Sequence, residues 1–498
     1  MINTMEQHNI CRHDELCGGC TYQGTDYEEQ LRTKENAVRS LFSSAEITPA
    51  QFAPIEGCPG EQRIGYRNKM EYTFGDMVKD GPLCLGMHKI KNFMSIVTVD
   101  ECQLVHPDFN RILRFTLDFC TNRGYVKYHK KSHLGLLRNL VVRRGVRTGE
   151  LLVNIVTSSQ SEFDEEAWKE GLLALPLDCR IVGVMHTLND GLADTVACDE
   201  LRLLYGREYY YEELLGLRFI VHEFAFFQTN VDAVERLYSE ALALIPDLEG
   251  KTVFDLYCGT GTISQIAARS AARVLGVEIV PESVESAREN AALNGLDNCE
   301  FVCGDVFAVL DTRQDKPDVI IVDPPRAGMS QEAVTRIASY GVKQILYISC
   351  NPKSLVKNLT WFAELGYEAE YVRPYDNFPM TRHVETVVLL SHKAPDSHIH
   401  VKVEFGEGKG KVPLDKIAER AEKYKPKETV TYKRIKEYIE DKFGFKVHTA
   451  YIAEIKRAYG LPVHDAPNAV EELKQPRKHP TPEKVEAIKD ALKHFEVI

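Results

Sequence analysis

Val253-Phe254-Asp255-Leu256-Tyr257-Cys258-Gly259-Thr260-Gly261-Thr262 decides the fold. A short apolar strand runs into a turn with two glycines, where the missing side chains let backbone approach a ligand at a helix N-terminus. Working outward, strand patterns are predicted at 253–257, 273–277, 300–302, 319–322, 344–349 and 386–390, and helical stretches such as 282–294 separate them. That alternation predicts a doubly wound α/β sheet, on which ligands bind at the carboxyl ends of the strands. The residue types with chemistry to offer fall at those ends.

Glu278 closes the second strand, where a carboxylate accepts hydrogen bonds from a ribose diol, and Gly304-Asp305 closes the third. Asp323-Pro324-Pro325-Arg326 follows the fourth, and proline there stiffens both itself and its predecessor. Ile348-Ser349-Cys350-Asn351-Pro352 follows the fifth. A glycine turn alone belongs to many nucleotide-binding folds; this succession of strand ends resembles class I methyltransferases, which use S-adenosyl-methionine. Amino-group methyltransferases share the Asp-Pro-Pro element but need no thiol. Cys350 instead suits conjugate addition to C6 of a pyrimidine, whose C5 is a poor nucleophile until something adds there. Such a reaction needs a base for the C5 proton, and Glu385 is the candidate, with His383 close behind. Taken singly, a cysteine before proline is more often buried than reactive, and a carboxylate more often a surface ion-pair partner. The set at successive strand ends favours function.

At 498 residues the chain exceeds one core, and its net charge of −12 argues against a uniformly basic nucleic-acid binder. The stretch from 128 to 144 is nonetheless basic, a pattern more common on solvated faces than on binding surfaces. With neither a membrane-length apolar run nor a signal-peptide pattern at residues 1–9, a cytoplasmic protein is expected. Three domains are predicted: a mixed α+β domain over 1–221, the α/β domain over 222–393, and an accessory, helical domain over 394–498. In the first, 137–144 and 150–156 read as a hairpin, and a helix starts after His106-Pro107 with Asp108 as its cap.

Thirteen cysteines are many for a reducing compartment. Cys11, Cys17 and Cys20, with Gly18-Gly19 between the last two and Cys102 as a fourth ligand, suit a thiolate-bound zinc or an iron-sulfur cluster. Cys58, Cys84, Cys120, Cys179, Cys198, Cys299 and Cys303 read as buried thiols, and Cys258 as packing.

Phe226-Phe227-Gln228-Thr229-Asn230, the glycine turn, Asp323-Pro324-Pro325-Arg326, Ser349-Cys350-Asn351-Pro352 and Asp376-Asn377-Phe378-Pro379 with His383-Val384-Glu385 together resemble the RNA uracil-5-methyltransferase family, in family order from about Cys11 to Leu390. The resemblance implies a Rossmann-like class I methyltransferase domain beside an iron-sulfur domain. It also implies that Gln228, Tyr257, Glu278 and Asp323 line the S-adenosyl-methionine and uracil pocket, that Cys350 is the nucleophile and that Glu385 is the proton acceptor. By the same resemblance, to the ribosomal RNA branch, Cys11, Cys17, Cys20 and Cys102 carry a [4Fe-4S] cluster that braces structure or RNA. A monomer acting on 23S ribosomal RNA is expected, with transfer RNA as the alternative substrate. An inactive iron-sulfur RNA-binding factor is a third reading, and retention of both Cys350 and Glu385 argues against it.

Two departures bear on RNA affinity. The small RNA-binding barrel of many ribosomal RNA members, the TRAM domain, is not found ahead of the cysteines, and the region after His392 lies outside the family pattern. A flipped-out base is expected, with Phe226 and Phe378 as stacking candidates and Arg138, Arg143 and Arg144 as phosphate contacts.

Overall fold

A computed structural model describes residues 10–192, 198–311, 315–392, 432–459 and 480–495. The chain divides into two compact units, 1–396 and 397–498. In the first, α1 (Tyr27–Ser44) and β1 (Gln51–Phe52) precede three antiparallel strands, β2 (Lys69–Asp76), β3 (Leu83–Lys89) and β4 (Asn92–Thr98). Next come α2 (Pro107–Asn122), β5 (Leu137–Arg144), β6 (Glu150–Thr157), α3 (Glu165–Leu173), β7 (Arg180–Leu188) and β8 (Glu200–Gly206). Strands β2 to β8 form one sheet in the order β4-β3-β2-β5-β6-β7-β8, antiparallel except between β6 and β7. The predicted hairpin is β5 and β6. Helices α2 and α3 cover one face around Phe109, Ile112, Trp168 and Leu172, all essentially inaccessible.

A small hairpin, β9 (Tyr209–Leu214) and β10 (Leu217–His222), leads into α4 (Val231–Ala243) and the second sheet. Its elements are β11 (Thr252–Leu256), α5 (Thr262–Ala268), β12 (Arg273–Glu278), α6 (Pro281–Leu293), β13 (Cys299–Cys303), α7 (Val306–Asp311), β14 (Val319–Val322), α8 (Gln331–Ala338), β15 (Gln344–Ser349), α9 (Pro352–Glu364), β16 (Tyr367–Tyr375) and β17 (Glu385–His392). The sheet order is β1-β16-β17-β15-β14-β11-β12-β13, parallel throughout except that β17 runs antiparallel to both neighbours. Every residue of β14 is buried, as expected of a parallel strand with both faces covered. All six predicted strands exist, within two residues at each end; β16 was not anticipated, because its alternating charged residues and Pro374 mask the pattern.

Three local expectations need correction. The cap of α2 is His106, whose Nδ1 accepts from Asp108 N at 3.3 Å, while Pro107 occupies the first turn. Asp108 is instead fully buried and accepts backbone N–H groups from Asp178 and Cys179. Secondly, α1 and β1, assigned from sequence to the first domain, serve the second sheet: β1 pairs with β16, and Val38 and Phe42 of α1 join its core. Thirdly, of the seven thiols expected to be buried, Cys58 and Cys120 are, Cys84, Cys179 and Cys299 are half-buried, and Cys198 and Cys303 are exposed.

The second unit holds α10 (Tyr432–Phe443), α11 (Thr449–Ala458) and α12 (Pro482–His494), packed around Ile435, Ile439, Ile452, Ile488 and Leu492. Residues 394–431, where this region was predicted to start, lie outside those described. Among the described residues no helix is long and apolar enough to cross a membrane.

Candidate active site

Strand register assembles the site. Leu256 lies beside Val277 and Val322, so the next residues, Tyr257, Glu278 and Asp323, share one edge of the sheet. On β15, Ser349 ends the strand opposite Thr386 of antiparallel β17. One step further in the same register sets Cys350 against Glu385. The reversal of β17 explains this, since its first residue arrives where the parallel strands finish.

The glycine turn is locked sterically and by hydrogen bonds. Tyr257 N and Cys258 N both donate to Val277 O, at 2.9 and 3.1 Å, with Tyr257 at φ 68°. Gly261 opens α5 at φ 72°; a Cβ there would sit 2.7 Å from the Phe301 ring and 2.9 Å from Ala287 Cβ. Glu278 accepts from Gly259 N at 3.1 Å and from Ile279 N and Val280 N at 2.8 and 3.0 Å, which fixes its carboxylate beside the turn. Asp255 is fully buried; Ser264 Oγ donates to its Oδ2 at 2.5 Å and its Oδ1 has no partner among the described residues. Burial pushes the Asp255 carboxyl up to about 7 against the pull of Ser264. A glycine turn at a strand end, with a held carboxylate one strand away, fits a nucleoside-bearing donor. Cys258 packs with Val284, Ala287, Ala291 and Phe301.

At the other half of the edge, burial pushes Asp323 up to about 7. Glu385, 8 % exposed, is pushed up to about 8, first by burial and then by the Asp323 charge, while Arg326 draws it down. Cys350 is half-buried and raised to about 11, by burial and then by Glu385 and Asp323, again against Arg326. The thiol and the two carboxyls therefore lie within electrostatic reach of one another. Asn351 ties the two strand ends: its Nδ2 donates to Arg326 O at 2.8 Å, while its Oδ1 caps α9 by accepting from Lys353 N. Gln228 donates from Nε2 to Tyr238 Oη at 3.0 Å, and Tyr238 feels the charges of Asp323 and Glu385.

The loop of 376–384 carries Phe378 and His383 to this edge, and its supports were not anticipated. Lys34 Nζ reaches Asp376 Oδ1 at 2.6 Å with both side chains essentially inaccessible, and donates to Phe378 O at 3.1 Å. Tyr27 Oη donates to Asp376 Oδ2 at 2.9 Å, and Asn230 Nδ2 to Asn377 O at 2.8 Å. A signal for Lys34 and Gln30 did exist: both interrupt the stripe Tyr27, Gln30, Lys34, Val38, Phe42 that α1 buries.

Cys11, Cys17, Cys20 and Cys102 line one cavity of about 270 Å³ together with Gly18, Gly19, Arg67, Thr381 and His383. Burial, with smaller contributions from the neighbouring Cys102, Cys17 and Cys11, raises the Cys20 thiol to about 12 against the hydrogen bond from Gln23. Burial also raises Cys102, to about 11, and Cys17. Four thiols line one space, but among the described residues their sulfurs do not gather within 4.8 Å of one another as a single ion would need, so the donor set suits a larger thiolate-bound group, whose charge would reverse these shifts.

Two of the basic residues are not free for phosphate. Arg143, 1 % exposed, donates to Ala225 O at 2.7 Å and faces buried Glu223 at 3.9 Å. Arg138, 6 % exposed, donates to Asn189 O and Gly191 O and covers the Tyr128 ring. Phe226 is 64 % exposed and Phe378 partly so.

Similarity to known proteins follows these features. Residues 247–376 match a family model described as a methyltransferase domain, and 184–305 match one described as tRNA (uracil-5-)-methyltransferase. An uncharacterized RNA methyltransferase of Clostridium tetani is 47 % identical over 377 residues, spanning 76 % of this chain and 82 % of its own. The chain belongs to the RNA uracil-5-methyltransferase family. Another RNA methyltransferase of this group, from Porphyromonas gingivalis, is 36 % identical across 76 % of the chain and 86 % of its own. Among solved structures, Pyrococcus abyssi tRNA (uracil-54, C5)-methyltransferase in complex with S-adenosyl-L-homocysteine superposes with a TM-score of 0.62 at 27 % identity, covering 75 % of this chain and 84 % of that one. The class I α/β methyltransferase fold and an RNA (uracil-5-)methyltransferase activity are thereby assigned.

Proposed function

We propose that this enzyme acts as a monomer to methylate C5 of a uridine in 23S ribosomal RNA, through a transient bond between Cys350 Sγ and C6 of the base. The observation that carries the reading is the strand-end set: a thiol, a carboxyl pushed up to about 8 and a third acid, with Arg326 beside them. S-adenosyl-methionine, held by Gln228, Tyr257, Glu278 and Asp323, supplies an electrophilic methyl group when bound. The Cys350 thiolate adds to C6, and the electron pair displaced from the C5–C6 bond makes C5 the nucleophile that takes the methyl, the S–CH3 bond breaking with its pair left on sulfur so that S-adenosyl-homocysteine departs. Glu385 then removes the C5 proton, the C5–C6 double bond re-forms and the C6–S bond breaks, returning the thiolate. An ordinary carboxylate is too weak a base for that step; burial beside Asp323 gives Glu385 the proton affinity it needs. The uridine must leave its stack to meet Cys350, and Phe226 and Phe378 are suited to receive it.

Cys11, Cys17, Cys20 and Cys102 would hold a [4Fe-4S] cluster as a structural brace, since the thiol route consumes no electron. It is this centre that favours ribosomal RNA. Transfer RNA is the second reading, favoured by the likeness to the Pyrococcus abyssi enzyme. The helical unit after His392 is a further candidate for RNA contact in a cytoplasmic enzyme.

Incubating RNA with Cys350→Ala should give no 5-methyluridine, whereas Glu385→Gln should accumulate a protein–RNA adduct that survives a denaturing gel. Turnover by Cys350→Ala at the normal rate would sink the mechanism. Quantifying 5-methyluridine in 23S and transfer RNA from cells with and without the gene separates the two substrates.

A further inference from the structure

The cavity bounded by four thiols and the edge bearing Cys350 are joined by a short chain of contacts. His383 lines the cavity, and its Nδ1 sits 2.9 Å from Arg326 Nη2. A guanidinium only donates, so Nδ1 carries the lone pair and the ring proton is on Nε2. Among the described residues, Arg326 is the cation named as acting on both Cys350 and Glu385, in the directions described above. A second set of contacts runs in parallel. Thr21 N and Tyr22 N, immediately after Cys20, both donate to Met380 O at 2.8 and 3.0 Å. Met380, at φ 65°, also donates its own N–H to Gln30 Oε1 at 3.1 Å. Thr381 beside it lines the cavity, and Tyr66 Oη donates to Pro379 O at 3.0 Å. The loop leading to Glu385 is therefore suspended from the cysteine-bearing segment.

We propose that His383 is a positioning residue through which occupation of the four-thiol cavity sets Arg326, and hence the reactivity of Cys350. The inference rests on the reading of Cys350 as nucleophile and of the cavity as a metal centre. Two segments share that cavity, one bearing Cys11, Cys17 and Cys20 and one bearing Cys102; the Arg12–Glu101 and His13–Asp100 pairs join them, and a bound centre would tie all four thiols. Once tied, the segment fixes Met380, the wall of the cavity fixes the His383 ring, and the ring holds the guanidinium against the sheet edge. With the centre removed, both supports slacken and the cation drifts from Cys350. This arrangement differs from chemistry at the metal, because no electron or ligand passes between the two sites.

The test uses the full chain isolated without oxygen, with iron and sulfide measured on each sample. Wild type, His383→Leu and His383→Gln are treated with iodoacetamide across pH 7 to 10, and alkylation of Cys350 is followed by peptide mass spectrometry. In wild type, stripping the metal with a chelator and oxidant should slow Cys350 alkylation at pH 8 by about tenfold, the effect of losing one nearby cation on a thiolate fraction. His383→Leu should slow it by a similar factor with its iron retained, and stripping should add nothing further. His383→Gln, which keeps an acceptor for Arg326, should restore most of the rate. Three outcomes overturn the proposal: an unchanged rate in His383→Leu, additive effects of the substitution and of stripping, or protein that carries no metal on these thiols. If the alkylation rates couple as expected but Cys350→Ala still methylates RNA, the coupling stands and the covalent mechanism falls.

Discussion

Replacing Lys34 with methionine tests whether the buried pair at the foot of the 376–384 loop holds the site together. The ammonium is 1 % exposed and the Asp376 carboxylate fully inaccessible, so Lys34→Met leaves a buried charge with only Tyr27 Oη and Phe378 N as donors. Breaking such a pair from one side costs about 3–5 kcal/mol. Unfolding entropy of about 2.1 cal/mol/K per residue over roughly 380 cooperative residues gives about 0.8 kcal/mol/K, so a loss of about 4 kcal/mol lowers Tm by about 5 °C. The double variant Lys34→Met with Asp376→Asn removes the stranded charge while its amide oxygen can still accept from Phe378 N and its amide N–H can donate to Tyr27 Oη, and it should recover most of that loss. Scanning calorimetry at one heating rate, with kcat measured alongside, checks both. The single variant should also lose kcat, since Lys34 holds Phe378 O directly. A double variant no more stable than Lys34→Met, or a single variant within about 1 °C of wild type, would refute the argument that charge burial is the dominant cost.

Glu385 makes a pH prediction with a definite sign. Its folded pKa, about 8, lies above the ordinary value of 4.5, so the folded state binds the proton more tightly and stability falls as pH rises between those values. Glu385→Gln should therefore gain on wild type progressively from pH 4.5 to 8, by an upper bound of about 5 kcal/mol, in urea titrations across that range. Breakdown of the methylated adduct needs Glu385 ionised, so single-turnover release of 5-methyluridine RNA should speed up from pH 6 towards 8, and Arg326→Gln should move that limb upward by about one pH unit. Gly261→Ala combines a positive φ with a Cβ 2.7 Å from Phe301; we expect a loss of about 2–4 kcal/mol and at least tenfold weaker binding of S-adenosyl-homocysteine by calorimetry. Arg143→Ala should destabilise by about 3 kcal/mol by stranding buried Glu223, while leaving the salt dependence of RNA affinity unchanged, the reverse of what a phosphate contact would do.

How much of this was legible in the sequence depends on the range of the interaction involved. Strand β14 announces itself because continuous burial demands continuous apolar residues, and the glycine turn because only glycine tolerates φ 72° against Phe301. With strand order known for a doubly wound sheet, the sharing of one edge by Tyr257, Glu278, Asp323 and Cys350 follows from counting residues to each strand end. Glu385 was legible as a residue, but its meeting with Cys350 depends on β17 running backwards, which no local pattern reveals. Arg143 was misread for a related reason. A run of arginines looks alike whether it faces solvent or a buried glutamate 80 residues later, and only the alternation of β5, with Arg143 inward and Arg144 half-out, distinguishes them.

The contacts that hold the reactive loop were the least legible, and their physics explains why. Lys34 and Asp376 are separated by 342 residues, and Gln30 and Met380 by 350. Gln30 and Lys34 mark themselves only by interrupting the buried stripe of α1, which says nothing of the partner, and a lysine on a helix reads as solvated until its stripe is known to be buried. Yet a buried ion pair is costly to form unless its hydrogen bonds are completed, and here Tyr27, Phe378 N and Phe378 O complete them. The N-terminal helix thus belongs energetically to the sheet that carries Cys350, and so does the cysteine-bearing segment that clamps Met380 O. A domain boundary drawn where composition changes, near residue 221, would cut this assembly in two. Truncating the chain at that boundary should therefore remove the supports of the 376–384 loop and leave the glycine turn and strand ends intact in sequence but without a fixed Glu385.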